Sequence, residues 1–573
     1  MKPVFKILCV LSCILISGQA YAQISLFKEN RTPTYYEVIE AYKSLDESYD
    51  QATLLTVGNT DAGKPLHVFV MATDPVRAFS EIEKKTNGKT VVLINNGIHP
   101  GEPCGIDASL LFAQALLENK KLSEDVVYAV IPVYNIGGAL NRGRPSRANQ
   151  NGPEAYGFRG NAQNLDLNRD FIKADAQNTF AFYKVFQSFK PHIFIDTHAS
   201  NGADYQPFIT LISTQKDKLN PALAEVLEQD LEPYLYKSMA QSGWEMVPYV
   251  NVFGRTPDAG YAAFLDLPRY ASGYTALFNT IGFITETHMW KPYEERVLST
   301  LAFLNNMDGY LLKNGEQLRQ ARVKAFEIDK EQVQFDVNWE LDSSSTKMLN
   351  FKGYKAEYPI SEISGEPRLK YNRKKKWEKE IPYYHTYTPT NSVKSPRYYV
   401  LPQSWVKVVE RLEANGIELK PLLKDTVLSV SSTYITSVKF PPMPYEGHFL
   451  IKDLQTEEIE QNRQFFKGDY LIDVQQINKR FLVNVLEPEA ADSYLRWNFF
   501  DAIFQQKEWF SAYVFEDMAV EILKEKPDLK IQFDVWKKEL DYEPTAFEQL
   551  YFIYKKSDYY EPEHMRYPVA KMY

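Results

Sequence analysis

The amino-acid sequence predicts an α/β fold over roughly residues 30–315, a mixed, mostly parallel sheet flanked by helices, followed by a second α+β or β-rich region. Three observations lead there. Short, continuous apolar runs such as Val91-Val92-Leu93-Ile94 and Ile193-Phe194-Ile195 read as strands buried on both faces. Stretches of helical periodicity alternate with them, the pattern of a parallel sheet covered by helices. A chain of 573 residues also exceeds what a single core ordinarily serves.

Met1 to Ala22 reads as a secretory signal segment, residues 1–22, removed before folding. Lys2 and Lys6 precede an apolar stretch from Ile7 to Ile16, and Ala20-Tyr21-Ala22 offers a small-x-small cleavage site. The first domain is expected over 23–320. Its strands are predicted near 91–95, 127–134, 192–198 and 281–286, its helices near 106–118, 174–189 and 294–313. A charged helix or linker is expected near 314–345. The second domain is expected over 345–573, an accessory region of unknown role. It should hold extended runs at 397–401 and 426–440, a helix at 404–415 stopped by Gly416, and a helix at 492–505. Its aromatics, Trp405, Trp497 and Trp509 among them, are expected to pack a core. No internal repeat or low-complexity tract occurs.

The chemistry concentrates at strand ends. His99-Pro100-Gly101-Glu102 leaves the first apolar run through Asn95-Asn96-Gly97, and His99 alone among the eight histidines has a glutamate three residues on. A histidine and a glutamate so spaced on a tight turn can bind one metal ion from the same side. A second strand, Ile193 to Asp196, leads to His198. A strand-end histidine alone usually just makes core hydrogen bonds, but His99, Glu102 and His198 together form the His/Glu/His set that leaves a catalytic zinc one open position. Between them runs Arg159-Gly160-Asn161-Ala162-Gln163-Asn164-Leu165-Asp166-Leu167-Asn168-Arg169. Its guanidinium groups suit carboxylates or a polarised carbonyl, and Asp166 suits the far nitrogen of a metal-bound imidazole. Gly282-Phe283-Ile284-Thr285-Glu286 is an apolar strand that closes on one carboxylate, placed to move a proton.

In this order the motifs resemble those of the zinc metallocarboxypeptidases, over roughly residues 30–315. The resemblance implies a carboxypeptidase-like fold and one Zn2+ per chain held by His99, Glu102 and His198, with Asp166 orienting His99. It implies Arg159 as the oxyanion stabiliser, Asn168 and Arg169 as the hold on a peptide's free C-terminal carboxylate, and Glu286 as general base and then acid. The family's substrate-closing tyrosine has Tyr274 as its nearest candidate, with Phe278 as the alternative. Arg142, Arg144 and Arg147 form a further basic cluster, expected to be solvated. Asp258 and Asp266 are candidates for a subsite aspartate.

The function implied is zinc-dependent removal of C-terminal residues from peptides. The alternative is an amidase or deacylase on the same scaffold, acting on cell-wall fragments or N-acyl amino acids. Export to a periplasmic or extracellular setting makes peptidoglycan stem peptides candidate substrates, and attachment of lipid at Cys13 is the weaker reading of the leader. Of the three cysteines the mature chain keeps only Cys104, expected to be a small buried apolar residue, so no internal disulfide is expected. A net charge of −9, with signs interspersed, argues against a nucleic-acid partner. No apolar run beyond the leader is long enough for an integral membrane segment.

Overall fold

The computed structural model describes residues 26–143 and 146–573. The expected signal segment, with Cys9 and Cys13, and Arg144 lie outside the described residues.

The strands that precede the long helix are β1 (Ala52–Asn59), β2 (Pro65–Met71), β3 (Thr90–Asn95), β4 (Val126–Ile131), β5 (Ile193–Ser200), β6 (Ile209–Ser213), β7 (Met246–Pro248), β8 (Tyr261–Ala262) and β9 (Ile281–His288). All but β8 join one sheet in the order β1-β2-β4-β3-β5-β9-β6-β7. Its centre, β4-β3-β5-β9, is parallel. Towards the edges, β1 and β2 run antiparallel, and β6 runs antiparallel to β9. Every residue of β3 and β5 is buried, which explains their unbroken apolar sequences. One face packs on the helices Tyr35–Ser48, Cys104–Glu118 and Tyr293–Glu331, where Val92, Ile94 and Phe283 meet Tyr42, Phe112 and Phe303. The other face packs first on the helix Gln177–Phe189 through Phe182 and Phe186.

The charged stretch after residue 313 is no linker. The helix that starts at Tyr293 runs on to Glu331 because Leu318, Arg322, Ala325 and Asp329 continue a buried stripe at helical spacing. Its charges have partners: Arg322 donates to the Phe278 carbonyl at 3.2 Å, and Asp329 accepts from Asn220 and Asn279. No helix of the described residues is long and apolar enough to cross a membrane.

Beyond the helix, β10 (Gln334–Leu341) pairs with β13 (Tyr387–Lys394), and β11 (Lys347–Glu357) with β12 (Lys370–Tyr384). The end of β12 also pairs with β8, so this hairpin is stitched to the first half of the chain. A six-stranded sheet follows, built from β14 (Tyr398–Leu401), β15 (Lys420–Pro421), β16 (Thr426–Lys439), β17 (Asp453–Phe465), β18 (Tyr470–Asp473) and β19 (Arg566–Met572). The helix Val406–Ala414 ends at Gly416, whose φ of +73° is the left-handed stop its sequence announces. The helix expected over 492–505 is a run of turns with one short helical turn at Asp501–Phe504. Asn498 there takes φ +65°, and the Trp497 indole donates to Asp492 at 3.1 Å.

The boundary expected near 320–345 does not separate two cores. One apolar cluster runs from Leu93, Ala129 and Phe194 of the large sheet, through Phe182 and Phe186, to Tyr399, Leu412, Phe481, Trp497 and Val569. Polar ties cross the same seam: Arg269 pairs with Asp492 at 2.8 Å, and His448 with Asp175 at 2.8 Å. Trp497 is wholly buried and Trp405 packs against the cluster, whereas Trp509 is exposed, contrary to expectation.

Candidate active site

β3 ends at Asn95, and Gly97, at φ +65°, turns the chain into His99-Pro100-Gly101-Glu102. The Glu102 amide donates to the His99 carbonyl at 2.8 Å, which closes the turn and sets both side chains on one side. The helix Cys104–Glu118 begins at once and must lie hard against β5. A Cβ on Gly105 would sit 1.9 Å from the Thr197 hydroxyl oxygen, so only glycine lets Glu102 come up beside His198. His198 is the register partner of Glu286 across the parallel β5–β9 pair. Three strand ends of the central sheet thus converge, as expected at the carboxyl edge of such a sheet.

His99, Glu102 and His198 are buried and each offers a ligand atom, all within 4.8 Å of one another. The Glu102 Oε1 lies 3.3 Å from His99 Nδ1, and Oε2 lies 3.1 Å from His198 Nδ1. Bonds of about 2.0–2.1 Å to a tetrahedral zinc require ligand separations of about 3.4 Å, so the set nearly has the span it needs. Both imidazoles are held by carboxylates on their far nitrogens: Asp166 accepts from His99 Nε2 at 2.8 Å and Asp196 from His198 Nε2 at 2.9 Å. That leaves each Nδ1 facing inward, that of His198 towards Glu102 Oε2. His99 Nδ1 is buried without a hydrogen-bond partner, as a ligand atom awaiting a cation is. The donor set fits zinc.

The surrounding charges are strongly biased. Burial pushes the Glu102 carboxyl up, but Arg147, 2.7 Å away, and the two imidazoles hold it well below the usual carboxylate range. Burial opposes charge on His198, yet Asp196 and Glu102 raise it well above the ordinary histidine value. Asp166, resisting burial, is held far down by His99, Arg159 and Arg169. Glu286 goes the other way. Burial pushes it to about 8, with His198 and Arg159 pulling it down and Glu102 pushing it up, and its Oε2 has no hydrogen-bond partner.

His99, Glu102, Arg147, His198 and Glu286 line a cavity of about 590 Å³, with Asp166 and Asp196 behind the imidazoles. Arg159 reaches Asp166 at 2.8 Å and Glu102 at 3.6 Å, and its side chain stays 43% exposed to the cavity, free to meet a substrate oxygen. The Asp166 amide donates to the Glu446 carboxylate at 2.8 Å, so a loop of the second half steadies this segment. Asn168 and Arg169 line the cavity side by side. Asn168 accepts from the Ala271 amide at 3.3 Å, and Arg169 lies 4.5 Å over the Tyr270 ring. Ile212, Tyr249, Phe264 and Ile284 form an apolar wall next to Glu286.

Tyr274 requires correction. It is fully buried, its hydroxyl donates to Asn415 at 2.7 Å, and its ring stacks on Tyr183. Phe278 is likewise stacked in the core, on Phe481. The tyrosines that line the cavity are Tyr249 and Tyr270. Neither aspartate considered for a subsite reaches it: Asp266 is buried against Lys218, and Asp258 lies near Lys379 at the surface. Of the basic cluster, Arg147 enters the site, whereas Arg142 caps the carbonyls of Thr32 and Pro33. Cys104 is buried against Thr287. Sequence reasoning missed Asp196, although Asp-x-His on a strand puts both side chains on one face. It also missed Tyr249 and Tyr270, which no local pattern marks.

Residues 38–208 match the family model described as zinc carboxypeptidase, Peptidase_M14. The chain is 25% identical over 446 residues to Carboxypeptidase 2 of Trichophyton tonsurans, covering 72% of this chain and 75% of that one. Carboxypeptidase 2 of Trichophyton rubrum is 25% identical over 442 residues, with the same coverage. A match over 72% of the chain cannot stop at residue 345, so part of the second half is shared with these relatives. A metallo-carboxypeptidase from Burkholderia cenocepacia superposes with a TM-score of 0.35 at 17% identity, over 47% of this chain and 68% of its own, too weakly to bear on the argument. His99, Glu102 and His198 all lie within residues 38–208, the stretch of this chain that matches the zinc carboxypeptidase family model.

Proposed function

We propose that this protein removes single residues from the free C-terminus of peptides, with a preference for large apolar side chains. The observation that carries the reading is the pair of unpartnered buried atoms, His99 Nδ1 and Glu286 Oε2, on one cavity beside Arg159, Asn168 and Arg169. His99, Glu102 and His198 would hold one zinc ion. Zinc supplies a Lewis acid that polarises a carbonyl and acidifies water.

The protein's own groups divide the remaining work. Arg169 and Asn168 bind the terminal carboxylate and so place the last peptide bond over Glu286. Glu286 takes a proton from the attacking water and returns it to the leaving amine. Burial raises this carboxyl in the metal-free site, and a cation held beside it would draw it back towards the range in which it can accept a proton as well as return one. Arg159 faces the oxygen of the attacked carbonyl and balances the charge that grows there. Asp166 and Asp196 hold the two imidazoles in one tautomer. The wall of Ile212, Tyr249, Phe264 and Ile284 receives the side chain of the last residue, with no charge to select a basic one.

The leader-like segment at 1–22 supports export, periplasmic or extracellular, as the setting. Mass spectrometry of a peptide panel with free and amidated C-termini tests the proposal. Stepwise loss of Phe, Tyr or Leu from free termini only, stopped by a chelator, is expected. Peptidoglycan stem peptides and N-acyl amino acids belong in the same panel: loss of the last residue from stem peptides alone would replace the apolar preference, and cleavage of N-acyl amino acids alone overturns the reading.

A further inference from the structure

Behind the apolar wall of the catalytic cavity lies a second one, of about 450 Å³. Ile212, Tyr249 and Phe264 line both, so the two hollows stand back to back across three side chains. A volume of this size is within the ~300–1,000 Å³ typical of small-molecule sites. Its walls come from both halves of the chain: β6, β7 and the helical stretch 221–241 on one side, β11 and the end of β12 on the other.

The lining is not a simple apolar hole. Leu211, Leu227, Met246, Val247 and Leu349 make its body. Glu232 stands among them, its carboxyl pushed up by burial against the pull of Ser213, Lys347 and Lys216. Opposite in sign are Lys216 and Lys347, close enough to the His385 ring that they lower its value after burial has done so and favour the neutral imidazole, while a second carboxylate, Glu228, also lines the hollow. Lys216 is tied to Asp217 at 2.7 Å, whereas Lys347 makes no ion pair among the described residues. His385, stacked on Tyr383, leaves its Nδ1 buried without a hydrogen-bond partner. Glu232 also follows directly on a π-helical turn at Leu227–Leu231, a local irregularity that recurs at functional positions in helices.

Carboxylates, lysines, an imidazole with a free nitrogen and an apolar body gathered in one hollow match one chemistry. We propose that this second cavity binds a free amino acid with an apolar side chain, its ammonium on Glu232, its carboxylate on Lys347 and His385, and its side chain among Leu211, Met246 and Leu349. The identity of the ligand rests on the proposed carboxypeptidase reading, since that is the product the neighbouring pocket releases. Occupancy props the shared wall of Ile212, Tyr249 and Phe264 from behind, so product at one site adjusts the pocket that selects substrate at the other.

Calorimetric titration of the full chain with L-phenylalanine tests this, beside phenethylamine, which lacks the carboxylate, and 3-phenylpropanoate, which lacks the ammonium. L-Phenylalanine is expected to bind, each truncated analogue about tenfold more weakly. Binding should persist in Arg169→Ala, which cripples the catalytic pocket, fall about tenfold in Glu232→Gln and vanish in Leu349→Trp, which fills the hollow. Glu232→Gln, nearly isosteric, keeps the test valid if the tryptophan variant does not fold. No binding to the wild type, or binding lost in Arg169→Ala and unchanged in Glu232→Gln, overturns the inference. The titration needs no turnover, so an inactive protein that binds the amino acid would sink the peptidase reading and leave the site standing.

Discussion

Two buried charge clusters of this molecule handle their polar atoms in opposite ways. At the seam between the halves, Lys173 pairs with Asp170 at 2.6 Å and with Asp175 at 2.8 Å, and His448 and Arg411 complete the set around Asp175. Asp170 further accepts from the amides of Asp175 and Ala176. In the catalytic cavity, by contrast, His99 Nδ1 and Glu286 Oε2 are left without partners although both are buried. A buried polar atom without a partner costs roughly 1–3 kcal/mol, and here two of them line one cavity beside three guanidinium groups, where a ligand can use them. The satisfied cluster is architecture, and the unsatisfied one is a site.

The largest effects should separate these two roles. Glu286→Gln is expected to lower kcat by about 10³-fold while bound zinc, read by atomic absorption, matches the wild type. Retained turnover would remove Glu286 from the chemistry. Lys173→Met should do the reverse. It strands Asp170 in the interior and costs about 3–5 kcal/mol by denaturant titration, with kcat per folded molecule unchanged. If Lys173→Met lost activity and kept its stability, the contrast between the clusters would be broken.

A smaller effect sharpens the comparison within the site. Asp196→Asn leaves His198 in place but weakens the group that orients it, so zinc affinity should fall about 10–100-fold in competition with a chelator, with kcat at saturating zinc much less affected. An unchanged affinity would make Asp196 a mere core hydrogen-bonder.

Much of the site was legible because its chemistry demands particular residue types at strand ends. His99, Glu102, His198 and Glu286 stand out against runs that are otherwise apolar, since β3, β5 and β9 are covered on both faces. The sheet and its helices were legible for the same reason. What escaped was decided by distant contacts. Nothing local shows that Tyr274 sits in the aromatic core with its hydroxyl on Asn415, 141 positions away, rather than over the cavity. Nor does periodicity reveal that Arg322 and Asp329 are buried, because charged residues at helical spacing read as a solvated face. The second half looked separate because its short strands carry a different pattern. Its core is nonetheless continuous with the first, through Phe182, Phe186 and Phe481.

The smallest effect concerns the metal-free protein and follows from the orphaned carboxylate. Glu286 stands at about 8 when folded, against 4.5 in an exposed chain, chiefly because it is buried. Between those two values the folded protein holds a proton that the unfolded chain has already lost. The native state is therefore favoured at the acidic end of the window, and this contribution drains away as pH rises through it. A glutamine at 286 has no proton to lose. Metal-free Glu286→Gln is thus expected to match metal-free wild type at the acidic end of the window and to exceed it by a Tm difference that grows as pH rises towards 8. The Lys173 cluster offers the control, because each charge there already has an opposite partner. A gap between the two proteins that stays constant across the window would mean that Glu286 is not a strained buried acid, and the distinction between the clusters would then rest on His99 alone.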